Sequence, residues 1–272
     1  ALDALFKLGI GTAILCVLSY MKQKIKPTKQ DGSFETWVTG RFGYKLYSIF
    51  FKTYTEKLWG IPCTELDADF AAQRIKKLSL WEAIKNAITG GKGNKHKTLV
   101  DQFAYPLGGT GMVYERMEKY VNEHGGKVIL NAPVKRVISE NGKVTALELE
   151  NGEIKKYDHV ISSMPISLLV TRLPEVPKEI SELAQSLKFR NTILVYLEVN
   201  AKDLFPDNWL YVHSSDLQMG RITNFRNWVP EINKGKDTTV VVLEYWCYDE
   251  DKIWKDNDET LIALGEEELK KT

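Results

Sequence analysis

The chain has 272 residues, 43% hydrophobic and 27% charged, enough for one large or two medium globular domains with a sizeable core. Its 37 Lys and Arg against 36 Asp and Glu give a net charge of +1, which argues against a nucleic-acid-binding domain and its broad basic excess. Cys16, Cys63 and Cys247 are scattered and odd in number, with no CxxC or Cys/His grouping, so they read as free thiols of a reducing, cytoplasmic compartment rather than as a disulfide framework or a zinc site.

Ala4 to Lys24 carries apolar residues at helical spacing. Its most apolar part, Leu8 to Met21, is shorter than the roughly 20 residues that cross a bilayer and has no cleavage site of a signal peptide. It is expected to be a buried or interfacial helix, with contact to a membrane surface as the lesser reading. Asp31-Gly32-Ser33 predicts a turn, with Ser33 capping a helix from Phe34. Trp37, Phe42, Tyr44, Leu46, Tyr47, Phe50 and Phe51 make an aromatic-rich helical region. Asp67 or Asp69 opens a further helix with Phe70, Ile75, Leu78 and Leu80 on its inner side, and Gly90 to Lys97 is expected to be a loop. The start without Met and the charged helical end predict a piece of a longer protein.

Near residue 127 the period changes from helical to alternating. Val128-Ile129-Leu130 is a predicted short strand, and Val134 to Ile138 another. Asn141-Gly142 and Asn151-Gly152 lie between apolar runs, a strong hairpin signal. They predict a three-stranded meander, which feeds a buried strand over His159 to Ser162 that Pro165 ends. Further on, Ile193 to Val199, Leu210 to His213, Arg221 to Phe225 and Thr238 to Tyr245 predict a second, antiparallel sheet of neighbouring strands. Glu244, inside the last of these, must be paired or face outward; exposure is expected.

No dinucleotide fingerprint is present. Gly9-Ile10-Gly11 has no preceding strand, and Gly109-Thr110-Gly111 lacks the third glycine. Ser162-Ser163 has no partners for a nucleophilic triad. His96, His124, His159 and His213 are scattered, so no metal is expected.

The order of the segments is more informative. Tyr105-Pro106-Leu107-Gly108-Gly109-Thr110-Gly111 leads into an amphipathic helix, then Gly125-Gly126, a strand, the hairpins, and Asp158-His159-Val160-Ile161-Ser162-Ser163-Met164-Pro165. Over residues 33 to about 200 this order resembles the middle of the flavin-containing amine oxidase superfamily, which includes protoporphyrinogen oxidases, phytoene desaturases and UDP-galactopyranose mutases. The resemblance implies an α+β fold, with a helical region and mixed or antiparallel sheets, within a two-domain FAD-linked flavoprotein of glutathione-reductase type 2. It implies that Pro133 and Val134 lie beside the adenine, that Ser162, Met164 and Pro165 return close to the dinucleotide, and that Gly108 and Gly109 pack near the flavin end. It divides the chain into 1–98, the helical part of a substrate domain, 99–165, part of an FAD domain, and 166–272, a substrate-domain sheet and helix. Because the fingerprint is missing, this chain alone is expected to hold FAD weakly or not at all.

A second stretch, Tyr54-Thr55-Glu56-Lys57-Leu58-Trp59-Gly60 followed by Arg74, resembles the sugar-nucleotide segment of UDP-galactopyranose mutases. In that family this region contacts the nucleotide-sugar, and the residue types suit it: an aromatic face can stack on uracil and an arginine can bind phosphate through its planar fork. Ile75-Lys76-Lys77 departs from the continuation that such a mutase shows. Arg221, with Asn224, Arg226 and Trp228, is a candidate clamp for an acidic substrate.

The function these features imply is hydride transfer from an amine or a reduced conjugated small molecule to FAD. A nucleotide-sugar mutase is the alternative, which requires Lys57, Trp59 and Arg74 to converge on one cleft. A binding domain without catalysis is the third.

Overall fold

The computed structural model describes residues 8–74, 104–229, 231 and 235–272. Two compact units emerge. One takes the chain up to Gly109 and resumes at Arg190, and the other is Thr110–Phe189. The expected boundary after residue 98 lies outside the described residues. The one after Pro165 falls inside the second unit, where Pro165 is the N-cap of a helix.

The first unit begins with α1 (Ile10–Ile25), α2 (Phe34–Phe42), α3 (Tyr44–Tyr47), a π-helical turn (Ser48–Lys52), α4 (Thr53–Trp59) and α5 (Ala68–Arg74). Ser33 caps α2, its hydroxyl accepting from the Thr36 amide. Hydrogen bonds from Ser33 and Thr36 hold the Asp31 carboxyl down at about 2. Phe34, Val38 and Phe42 fall on one face of α2 and join Tyr47, Cys63 and Leu66 in a helical core. The aromatic-rich stretch thus forms several short helices around one core. Ile75, Leu78, Leu80 and the Gly90 to Lys97 loop lie outside the described residues.

The second unit holds α6 (Gly111–Glu123), a meander of β1 (Val134–Glu140), β2 (Lys143–Leu149) and β3 (Ile154–Lys156), then α7 (Ile166–Arg172) and α8 (Lys178–Ser186). Both meander connections are antiparallel. Asn141 (φ 53°) and Gly142 (φ 75°) both take positive φ, which is what a tight type I′ hairpin turn demands. Two expected strands differ. Val128–Leu130 and His159–Ser162 belong to no sheet, and Leu130 and Ile161 are exposed. A strand is stabilised by its neighbours' hydrogen bonds, and among the described residues these segments have no neighbour.

The remainder of the first unit is a four-stranded antiparallel sheet and its covering helix. The strands are β4 (Asn191–Val199), β5 (Trp209–Tyr211), β6 (Arg221–Asn224) and β7 (Thr239–Cys247), in the order β4-β7-β6-β5. The second antiparallel sheet is therefore present, but β4 pairs with β7 and not with its sequence neighbour β5. The third strand also ends earlier than expected: the Asn224 side chain accepts from the Arg226 amide and starts α9 (Phe225–Trp228), so Phe225 is not on the strand. After α10 (Lys252–Lys255), α11 (Asp258–Leu269) lays Leu261, Leu264 and Leu269 against Val195, Ile222, Val241, Leu243 and Tyr245 of the sheet. That burial is the second core.

Candidate functional site

Side chains alternate along a strand. With Val195, Ile222 and Leu243 committed to the α11 side, their neighbours Leu194, Arg221 and Glu244 project from the opposite face. Cross-strand pairing sets Tyr211, Arg221, Glu244 and Leu194 in one row across the sheet. Leu194, Tyr196 and Tyr211 on this face are exposed.

The centre of the row is an ion pair. Arg221 donates from Nε and Nη2 to the two carboxylate oxygens of Glu244, both at 2.7 Å. Glu244 is buried and so is paired rather than exposed, because a carboxylate in that position needs a charged partner. Burial opposes the Arg221 charge, yet the Glu244 hydrogen bonds and charge outweigh it and raise the guanidinium pKa.

Tyr54 reaches this row from α4. Its ring lies 4.8 Å from Tyr211, 5.6 Å from Trp246 and 5.8 Å from His213 between centroids, with the first two contacts edge-on. Burial pushes its hydroxyl up to about 12; Tyr211 adds to the shift and Arg221 opposes it. Trp246 packs against Gly220, where a Cβ would sit 1.8 Å from the indole, so only glycine fits there.

The expected substrate residues therefore divide. Tyr54 and Arg221 share one face. Lys57 does not reach it as a free cation: its ammonium donates to the carbonyls of Val212 (3.2 Å), Ser214 (2.6 Å) and Met219 (3.1 Å). Burial lowers its pKa, opposed by Glu268, whose buried carboxylate accepts from the amides of Gln218 and Met219. Lys57 and Glu268 thus fasten the loop between β5 and β6. Trp59 belongs to the helical core, its ring edge-on to Phe70 at 4.9 Å. Lys57 and Trp59 consequently do not converge, and the side chain of Arg74 lies outside the described residues. Arg226, Asn224 and Trp228 do not form a substrate clamp either. They donate to the carbonyls of Lys236 and Thr238, of Phe205, and of Asn208 respectively, and tie loops together.

Two residues were not anticipated. Arg190 donates to the carbonyls of Lys57 (2.9 Å), Leu58 (3.2 Å) and Trp246 (3.0 Å), lies 3.5 Å from the Asp251 carboxylate, and stacks over the Tyr248 ring at 4.3 Å. Tyr248 in turn donates to the Trp59 carbonyl. Together they cap the end of α4 and bind it to β7. Gly60, at φ 67°, leaves the space that this needs: a Cβ there would approach the Arg190 guanidinium carbon to 2.6 Å.

His213 is the other. Its Nδ1 is buried and, among the described residues, has no hydrogen-bond partner. Burial, and then the Lys57 charge, lowers its pKa. Below the ordinary value of about 6.5, the unfolded chain takes up a proton that folded His213 resists. Stability is then fully present above that value and falls as pH drops towards the folded pKa. His213→Gln is expected to flatten this part of the pH dependence, read from urea midpoints at acidic and neutral pH.

The expected cofactor residues show a different kind of surface. Ser162 and Pro165 are exposed, Met164 is half-buried, and the Ser162 hydroxyl accepts from the Met164 amide. Pro133 and Val134 offer main chain at the start of β1. The Pro133 carbonyl accepts from the Glu150 amide at 3.0 Å, and the Val134 carbonyl from Arg172 Nε. A base edge at Val134 would share that oxygen through its second lone pair. In the first unit, Gly108 is exposed and Gly109 has φ 85° with open space around it. Gly108 and Gly109 do precede the start of α6 at Gly111, but residues 104–106 ahead of them form no strand, so the strand, glycine turn and helix of a dinucleotide fingerprint do not occur together there.

The chain belongs to the flavin-containing amine oxidoreductase family, whose sequence model matches residues 51–271. Its fold resembles that of a reduced UDP-galactopyranose mutase, at TM-score 0.72 and 18% identity over 93% of this chain and 54% of that one. It resembles a protein from Exiguobacterium sp. 255-15 classed as a protoporphyrinogen oxidase, at TM-score 0.66 and 17% identity over 93% and 55%. An oxidoreductase from Methanosarcina mazei matches at TM-score 0.61 and 17% identity over 96% and 57%. The chain spans little more than half the length of these structures. No described helix is long and apolar enough to cross a membrane.

Proposed function

We propose that the protein is an FAD-dependent oxidoreductase, of the two-domain glutathione-reductase type 2, acting on an amine or a reduced, conjugated small molecule. The observation that carries this reading is the aromatic set around Tyr54 on an open sheet face, in a chain of a flavin-containing family. Bound FAD supplies the hydride acceptor. The chain's own part is to bind and orient the substrate. Tyr54, Tyr211 and Trp246 offer an aromatic wall to a flat or conjugated molecule, and Leu194 and Tyr196 extend it. Such a wall also excludes water from the reacting bond. Arg221, engaged through Nε and Nη2 by Glu244, sets an ion pair beside the wall rather than a free fork for phosphate. Pro133, Val134, Ser162, Met164 and Pro165, with Gly108 and Gly109, would contact the adenine and flavin sides of FAD. The buried, unpaired thiols Cys16, Cys63 and Cys247 accord with a cytoplasmic setting.

The mutase alternative draws on the likeness to a UDP-galactopyranose mutase fold. It is the weaker reading, since Lys57 is spent on backbone carbonyls and Trp59 on the helical core.

The test is the visible spectrum of the full-length gene product before and after denaturation, followed by anaerobic titration with amines and reduced conjugated compounds. A flavin spectrum that denaturation releases and such a substrate bleaches is the expected result. Binding of a UDP-hexose without bleaching would favour the mutase. A colourless protein that FAD does not reconstitute would leave a non-catalytic binding domain.

A further inference from the structure

A cavity of about 910 Å³ opens beside α1, bounded by the chain that follows it, by α2 and by the start of α3. Its size falls in the range of small-molecule sites. Lys22, Lys26, Lys29 and Lys45 line it against a single carboxylate, Glu35. Glu35 already accepts the Tyr47 hydroxyl at 2.8 Å. No Asp or Glu occurs between Asp3 and Asp31, so the α1 side of the cavity is uniformly basic.

The buried wall is polar. Gln23, Thr36 and Thr39 line the cavity and are all buried. The Thr39 hydroxyl has no hydrogen-bond partner among the described residues, although only 6% of the residue is exposed. A buried hydroxyl without a partner is costly unless something satisfies it. On the other side, Leu15 and Leu18 make the wall apolar, and Ile14, Met21 and Ile25 of the same helix are exposed.

We propose that this cavity binds the phosphate group of an organic anion. The lysines supply compact positive charges for a multiply charged oxyanion, Thr39 supplies a buried hydroxyl, and the leucines receive an apolar portion. Two sources share this chemistry: a soluble phosphate ester and an anionic lipid headgroup. Neither depends on the flavin chemistry.

The experiment uses the whole chain with two probes. One is inorganic phosphate, followed by calorimetric titration. The other is flotation with phosphatidylcholine vesicles, with and without phosphatidic acid. Each probe is repeated on Lys26→Gln/Lys45→Gln and on Thr39→Val, with thermal melts to check that the variants fold. Saturable phosphate binding, weakened roughly tenfold or more in Lys26→Gln/Lys45→Gln and also weakened in Thr39→Val, is the result for a soluble ester. Flotation only with phosphatidic acid, lost in the same variants, is the result for a lipid. Binding to neither probe, or binding unchanged in folded variants, overturns the proposal.

Discussion

Replacing Arg190 with alanine is expected to lower the unfolding free energy by about 3–5 kcal/mol. The guanidinium side chain is only 14% exposed and serves the Lys57, Leu58 and Trp246 carbonyls together, with Asp251 at its edge and the Tyr248 ring beneath it. Its removal leaves polar oxygens at the end of α4 without their donor, and hydrogen bonds from a charged group are the stronger kind. It also opens a space that Gly60 cannot fill. Arg190→Lys should restore little of the loss, because an ammonium cannot present a planar fork to several acceptors at once. Urea unfolding of the two variants measures both statements. A function follows from the same geometry: α4 carries Tyr54, so a frayed C-terminus of that helix should disturb the aromatic wall before the sheet itself unfolds. If Arg190→Ala proved as stable as the parent chain, the capping knot would not be what holds α4 to β7.

Local pattern made much of the fold legible. The alternation around Asn141-Gly142 has one reading, a hairpin, because the turn needs positive φ and the residues allow it. Ser33 before an apolar run likewise declares a helix start. Strand order is another matter. β4 and β7 both present apolar residues on the α11 side, and their pairing is decided by long-range packing that no short window contains. The segments Val128–Leu130 and His159–Ser162 have the composition of strands, but composition does not provide the neighbour that a strand needs. For the site, aromatic and basic residue types singled out Tyr54, Lys57, Trp59 and Arg221 equally. Only the fold separates them, since the turn of α4 that aims Tyr54 at the sheet sends Trp59 into the helical core and Lys57 to the loop carbonyls. Arg190 gave no signal because its acceptors are main-chain oxygens, which every sequence has. Glu244 gave half of one: a carboxylate inside an apolar strand demanded a partner, and its identity came from cross-strand register with Arg221.

That register leads to the second large effect. Arg221→Ala and Glu244→Ala should each destabilise the chain by roughly 2–4 kcal/mol, because each leaves its partner's charge poorly compensated in a half-dry place. Arg221→Ala should be the costlier, since Glu244 is the more deeply buried of the two and would remain as a lone carboxylate. The paired change Arg221→Met with Glu244→Leu removes both charges and keeps the volume, so it should recover most of the loss. This comparison also separates two roles for Arg221 that its position alone leaves joined. A purely architectural arginine predicts that stability and substrate KM return together in the paired variant. An arginine whose charge meets the substrate predicts restored stability with KM still raised, because methionine rebuilds the packing and not the charge. Measuring unfolding and KM on the same flavin-loaded full-length protein therefore decides whether the ion pair at the centre of the sheet supports the aromatic wall or takes part in recognition.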